Sequence, residues 1–156
     1  MNVAKRSAGI LLYRHGVAGL EVLLVHPGGP FWAKKDLGAW SIPKGQHEVD
    51  EEALDCALRE FEEETGTRPN EGQLDHLGTV RQKSGKFVQA WALEGDLDAD
   101  AVRSNTFEMQ WPPRSGRMQE FPEVDRAAWF SLSDARERLN PAQALFLDRL
   151  AERFES

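Results

Sequence analysis

A chain of 156 residues, 40% of them hydrophobic, is the size of one ordinary domain and can bury a core without metal or disulfide staples. With 8 prolines, 13 glycines, no homopolymer run and no fixed-period repeat, it is excluded from the disordered, collagen-like and solenoid classes, and residues 1–156 read as a single domain. A net charge of −7 argues against a nucleic-acid polymer or an anionic membrane as partner; the lone Cys56 excludes an internal disulfide, and the early apolar run is too short for a signal peptide or span, so a cytoplasmic protein is expected.

Two short aliphatic runs, Arg6 to Arg14 and Leu20 to His26, predict buried strands joined by a loop. A loop rich in glycine and aromatics leads to Trp40 and the SIPKG turn at 41–45. A helix follows from about Glu51 to Thr65, with Asp50 as its N-cap, Gly66 as its stop and Leu54, Ala57, Leu58 and Phe61 as its apolar stripe. Leu74 to Gln82 and Lys86 to Leu93 flank Ser84-Gly85 and predict a hairpin. Asn105 to Trp111 is a further run, 114–126 reads as a polar loop, Ala127 to Leu132 as a short strand, and Asn140-Pro141 opens a terminal helix. The pattern is a mixed sheet covered by two helices, an α/β layered sandwich.

The excess negative charge is local. From Glu48 to Glu64 nine acids stand against one base, Arg59, so this segment carries −8 and the remainder sums to +1. Glu60, Glu63 and Glu64 are spaced i, i+3, i+4, which gathers them within about a 100° arc of one helix face. Like charges so placed repel, and the helix dipole disfavours carboxylates in the last turn by roughly 0.3–1 kcal/mol each. A hard divalent cation reverses both penalties: Mg²⁺ or Mn²⁺ takes oxygen ligands and keeps waters that substrate phosphates can replace. The plain alternative is a solvated, charge-laced helix.

Gly45, five residues, Glu51, seven residues, then Arg59-Glu60-Phe61-Glu62-Glu63-Glu64-Thr65-Gly66 resembles the Nudix box, G-x5-E-x7-R-E-U-x-E-E-x-G-U, where U is a bulky apolar residue. The sequence departs from it at Thr67, where packing at the start of the next strand is expected to be affected. The resemblance implies a Nudix-type α/β/α sandwich with a mixed β-sheet. It also implies a pyrophosphohydrolase that uses Mg²⁺ or Mn²⁺ to cleave a diphosphate linkage in a nucleoside diphosphate derivative. Glu60, Glu63 and Glu64 would be metal ligands, with Glu60 also a candidate base. Arg59 would orient them by paired hydrogen bonds, Glu51 would support the loop, and Gly45 would let the backbone approach, a carbonyl at Lys44 or Gly45 being a further ligand. Glu123, in a Glu-Val-x4-Trp pattern similar to that of many Nudix proteins, is a second candidate for ligand or general base, and Glu120 and Glu108 extend the same idea.

Trp40-Ser-Ile-Pro-Lys-Gly45 resembles the W-x-x-P-K-G entry of Nudix enzymes that act on dinucleoside polyphosphates. A lysine at position 44 suits a long anionic chain; by their own positions, Trp40 in the loop leading to the box is a candidate stacking ring, and Arg114 and Arg117, in or beside turns, are candidates to follow a longer phosphate chain. Trp32 is another stacking candidate, whereas Trp91 and Trp129 are expected in the core. Many of those enzymes use a tyrosine downstream of the box, and here the only tyrosine is Tyr13. A nucleoside triphosphate, a diphosphoinositol polyphosphate, or a non-catalytic nucleotide sensor are the alternative readings. The expected partner is a phosphorylated small molecule; the box leaves the recognised group, the general base and the oligomeric state open.

Overall fold

A computed structural model describes residues 5–70 and 72–154. β1 (Arg6–Gly16) and β2 (Gly19–Pro27) pair antiparallel, with Tyr13 opposite Val22. β4 (Leu74–Arg81) and β5 (Phe87–Glu94) form a second hairpin, and β5 runs parallel to β1 from Arg6–Phe87 to Tyr13–Glu94. β8 (Val124–Ser131) adds to the far edge of β2, giving the order β4-β5-β1-β2-β8 in a mixed sheet. The predicted SIPKG turn is partly a strand: β3 (Lys44–Gln46) pairs antiparallel with the start of β1, placing Gly45 opposite Ala8.

Alternation along β1 sends its side chains to two cores. Ala8, Ile10 and Leu12 face α1 (Ala53–Thr65), which buries Cys56, Ala57 and Phe61 against them. Leu11 and Tyr13, with Val22, Leu24 and Val88, face α2 (Leu132–Arg138) and α3 (Ala144–Glu152). Helices on both faces of a mixed sheet make the expected α/β/α sandwich. Trp91 and Trp129 pack half-buried at the edge of the α1-side core.

Several boundaries differ from expectation for identifiable reasons. Asp50 sits at φ 60 and does not cap α1, which begins at Ala53 behind Glu52, while Gly66 does end it at φ 77, its N–H donating to the Glu62 carbonyl. Thr67 is exposed well before β4 begins, so its small side chain leaves no gap in the core. The polar loop contains a strand: β6 (Thr106–Gln110) and β7 (Met118–Pro122) form a separate two-stranded sheet. The C-terminal region holds two α-helices. Ser131 caps α2 through Asp134 N–H, and Asn140 caps a 3₁₀ turn at Pro141–Gln143 that leads into α3. Among the described residues, no helix is long and apolar enough to cross a membrane.

Candidate active site

Arg59 on α1 stands between three acids, Glu60 and Glu63 of the helix and Glu51 just before it. Its Nε and Nη2 donate to the two oxygens of Glu51 at 2.7 and 2.9 Å, a bidentate clasp, while Nη1 donates to Glu60 at 2.8 Å and to Glu63 at 3.1 Å. Nη2 also reaches the Gln46 carbonyl at 3.1 Å. One guanidinium thus fixes two helix carboxylates and ties α1 to the loop before it. Glu51 accepts the Glu48 N–H as well, and the Arg59 guanidinium holds its carboxyl down at about 2.

β3 crosses directly over this face. A Cβ built on Gly45 would fall inside the Glu60 carboxylate, so only glycine permits the contact. In an antiparallel ladder, bonded and unbonded positions alternate. Ile10 N donates to the Pro43 carbonyl and His47 N to the Arg6 carbonyl, so Gly45 lies at a bonded position facing Ala8; its carbonyl also accepts the Cys56 thiol at 3.4 Å. Lys44 is at the unbonded position. Its N–H donates to Glu64 Oε1 at 3.1 Å, and its carbonyl leaves the ladder on that same side. Of the two carbonyls considered, the one free to face the carboxylates is that of Lys44, and the role of Gly45 is clearance.

Burial shapes the electrostatics. It pushes the Glu64 carboxyl up to about 8, against the lowering effects of the Lys44 N–H and ammonium. It also raises Glu60, against the pull of Arg59, and raises Glu123, with the charge of Glu63 adding to it. The Lys44 ammonium is held below its ordinary value by burial and by neighbouring Lys86, and Glu64 opposes the shift. Glu123 is carried to this cluster by backbone: Asn105 N donates to the Glu63 carbonyl and Glu123 N to the Asn105 carbonyl, each at 2.9 Å. On its other side the Glu123 carbonyl accepts Gly28 N–H at 2.9 Å.

The structure thus gathers Glu60, Glu63, Glu64, Arg59, Lys44, Gly45 and Glu123 around the C-terminal half of α1. Trp40 is not free to stack. It is 3% exposed, packed edge-on against His26 and Phe130, with its Nε1 donating to Asp36 at 2.8 Å. It belongs to the core on the α2–α3 side, and backbone bonds to the Arg138 carbonyl and from the Asn140 N–H anchor the loop ahead of β3 there. Arg114 and Arg117 lie at the exposed tip of the β6–β7 hairpin, away from the carboxylates. Glu108 and Glu120 face each other across that hairpin in solvent.

Sequence reasoning missed several residues that shape the site. His26 is fully buried, with Nδ1 2.7 Å from Asp125 Oδ1 and Nε2 2.6 Å from the Lys35 carbonyl, and so ties the loop before β3 to the segment after Glu123. Its aliphatic strand context disguised it, and only the Asp two residues after Glu123 hinted at a partner. A cavity of about 500 Å³ opens beside the N-terminal end of α1, lined by Arg6, His47, Glu51, Phe87 and Gln89 among others. Arg6 and Arg81 stand 5.9 and 5.5 Å from the centre of the Phe87 ring.

Among the described residues no three acidic, histidine or cysteine side chains already form a closed metal cage, since Glu60 and Glu63 are turned to Arg59 and Glu64 to Lys44. The donor set nevertheless fits a hard divalent cation. It is all oxygen, it is brought together at a backbone approach that only glycine allows, and burial raises Glu60 and Glu64 despite Arg59 and Lys44 beside them, so further positive charge is needed to hold both ionised.

A model of the NUDIX domain matches residues 3–150. The chain belongs to the NUDIX family. Nudix enzymes are pyrophosphohydrolases and generally depend on a divalent metal, and this chain is placed with them by its domain. Its fold is similar to that of the C. elegans Ap4A hydrolase in a binary complex, with 21% identity over 95% of this chain and 97% of that one, at a TM-score of 0.69. It is also similar to the NUDIX domain of Shewanella oneidensis NrtR complexed with ADP ribose, with 19% identity over 99% and 91% of the two chains and a TM-score of 0.66. These likenesses are of fold. A short segment of 27 residues is 67% identical to the mRNA-decapping protein g5R of African swine fever virus; it spans 17% of this chain and 11% of the viral protein.

Proposed function

We propose that this Nudix protein hydrolyses a diphosphate linkage in a dinucleoside polyphosphate, using Mg²⁺ or Mn²⁺. The observation that carries the reading is the joint placement of Gly45 over Glu60 and of the Arg59 fork on Glu60 and Glu63, which holds together carboxylates whose mutual repulsion and last-turn position cost helix stability. Glu60, Glu63, Glu64 and the Lys44 carbonyl would hold the metal. When bound it supplies Lewis acidity toward a phosphoryl oxygen and lowers the pKa of a coordinated water. Arg59 keeps two of the carboxylates oriented through the reaction. Glu123, raised by burial toward the range useful to a base, accepts the proton of the attacking water as the new P–O bond forms and the bridging P–O bond breaks.

A long polyphosphate is favoured by cations at this site. Burial and the charge of nearby Lys86 hold the Lys44 ammonium below its ordinary value, and anionic phosphate at this site relieves that repulsion. The cavity of about 500 Å³ around Phe87 lies within the range of roughly 300–1,000 Å³ typical of small-molecule sites and accommodates one nucleoside. The test is incubation with dinucleoside polyphosphates, nucleoside triphosphates, nucleotide sugars and diphosphoinositol polyphosphates, with Mg²⁺, Mn²⁺ or EDTA, and identification of products by mass. Metal-dependent cleavage of the dinucleoside compounds at the highest kcat/KM is expected. Preference for a nucleoside triphosphate or an inositol substrate selects those alternatives, and tight binding without turnover selects a nucleotide sensor.

A further inference from the structure

The β6–β7 hairpin stands apart from the main sheet, and its own two strands would be marginal without support. The loop after β2 supplies it. A Cβ on Gly28 would collide with the Pro122 carbonyl, the Phe107 ring lies against Gly29, and Phe31 meets Trp111 edge to face at 5.7 Å between ring centres. The two segments therefore form one arm. Its aromatic residues are not consumed by this packing: Phe31 remains 62% exposed and Trp32 40%, with Trp111 half-buried between them and the hairpin tip.

The same segments carry Lys34, Lys35, Arg114 and Arg117, all exposed. Among the described residues none of the four forms an ion pair, although the chain as a whole carries −7. Arg114 at the tip adopts φ 61, a left-handed conformation unfavourable for a non-glycine residue, and its side chain is exposed. Exposed rings beside cations that have no carboxylate partner, the Lys35 ammonium lying 5.0 Å from the centre of the Trp32 ring, match a ligand that joins a base to phosphate. The arm is also wired to the carboxylates, since Asn105 at the foot of β6 bonds the Glu63 carbonyl and Glu123 follows β7 directly. Four ladder steps at ~3.4 Å each put the tip roughly 14 Å from the foot, the scale of an extended polyphosphate.

We propose that this arm is the subsite for the second nucleotide of the substrate: Phe31, Trp32 and Trp111 stack on its base, and Arg114 and Arg117 pair with the phosphate that joins it to the chain. The proposal rests on the dinucleoside polyphosphate reading. It is tested with diadenosine tetraphosphate and ATP as parallel substrates in the presence of Mn²⁺, using Trp111→Ala, Trp111→Phe and the double variant Arg114→Gln/Arg117→Gln. Trp111→Ala is expected to raise KM for diadenosine tetraphosphate about tenfold more than KM for ATP, and Trp111→Phe to recover most of the loss. The arginine variant, on exposed positions, is expected to raise the same KM selectively and to flatten its dependence on salt. It decides the matter alone if Trp111→Ala fails to fold by circular dichroism. If KM for the two substrates rises equally, or neither rises, the arm is overturned while the proposed function stands. If the wild-type protein cleaves ATP and not diadenosine tetraphosphate, both are overturned.

Discussion

At the scale of single residues, Glu64 and Gly45 make opposite demands. Glu64 is a buried carboxyl whose charged form gains little from its surroundings except the Lys44 N–H and ammonium. Glu64→Gln is therefore expected to lower kcat by roughly 10²-fold or more while slightly raising the melting temperature of metal-free protein, because it removes one carboxylate charge from the proposed metal set and relieves repulsion with Glu60. Steady-state kinetics and a melt in EDTA check both halves, and an unfolded variant would make the residue structural instead. Gly45→Ala is expected to cost activity to a similar degree and stability by about 1–3 kcal/mol, since its methyl must displace the Glu60 carboxylate. Near wild-type kcat in Gly45→Ala would show that Glu60 has no fixed position to lose.

At the scale of elements, α1 was legible because carboxylates at i, i+3, i+4 violate two local rules together and so demand an explanation. Its start was not legible. Asp50 has the side chain of a cap, but Glu51 is drawn to Arg59 and Glu48, and the chain between passes through φ 60 before the helix begins. The β6–β7 hairpin escaped for another reason. Met118–Pro122 is mostly exposed and pairs only with β6, so no apolar alternation announces it, and its importance comes from the loop seated on it through Gly28. Trp40 misled in the converse way, because an aromatic beside a motif carries no mark of which side it faces. The Glu51–Arg59 clasp joins element to loop, so Glu51→Gln is expected to lower stability most near neutral pH. The folded Glu51 carboxyl is held near 2, below its ordinary value of 4.5, so its contribution is present above about 4.5 and is lost as pH falls through that interval. Denaturant titrations of the variant and the wild type should diverge at pH 7 and converge near pH 2; equal stability at pH 7 would reduce the clasp to a surface pair.

At the scale of the whole molecule, metal, protons and folding are linked through the same buried carboxyls. Glu60, Glu64 and Glu123 are raised above their ordinary values, so at these three carboxyls the folded metal-free protein binds more protons than the unfolded chain; their contribution to stability is present at low pH and is lost as pH rises through their folded values, which for Glu64 lies at about 8. A divalent cation held as proposed by Glu60 and Glu64 requires both deprotonated, so its binding would release protons and tighten as pH rises. At a hundred times its Kd the metal contributes about 2.7 kcal/mol, which for a chain of this length is a rise in melting temperature of roughly 5–10 °C. The expected result is a melting temperature that falls between pH 6 and pH 8 in EDTA, and a Mn²⁺-induced increment that grows over that range and shrinks in Glu64→Gln. Scanning calorimetry with and without Mn²⁺ at both pH values measures all three, and an increment independent of pH, or equal in Glu64→Gln, would place the cation away from these carboxyls.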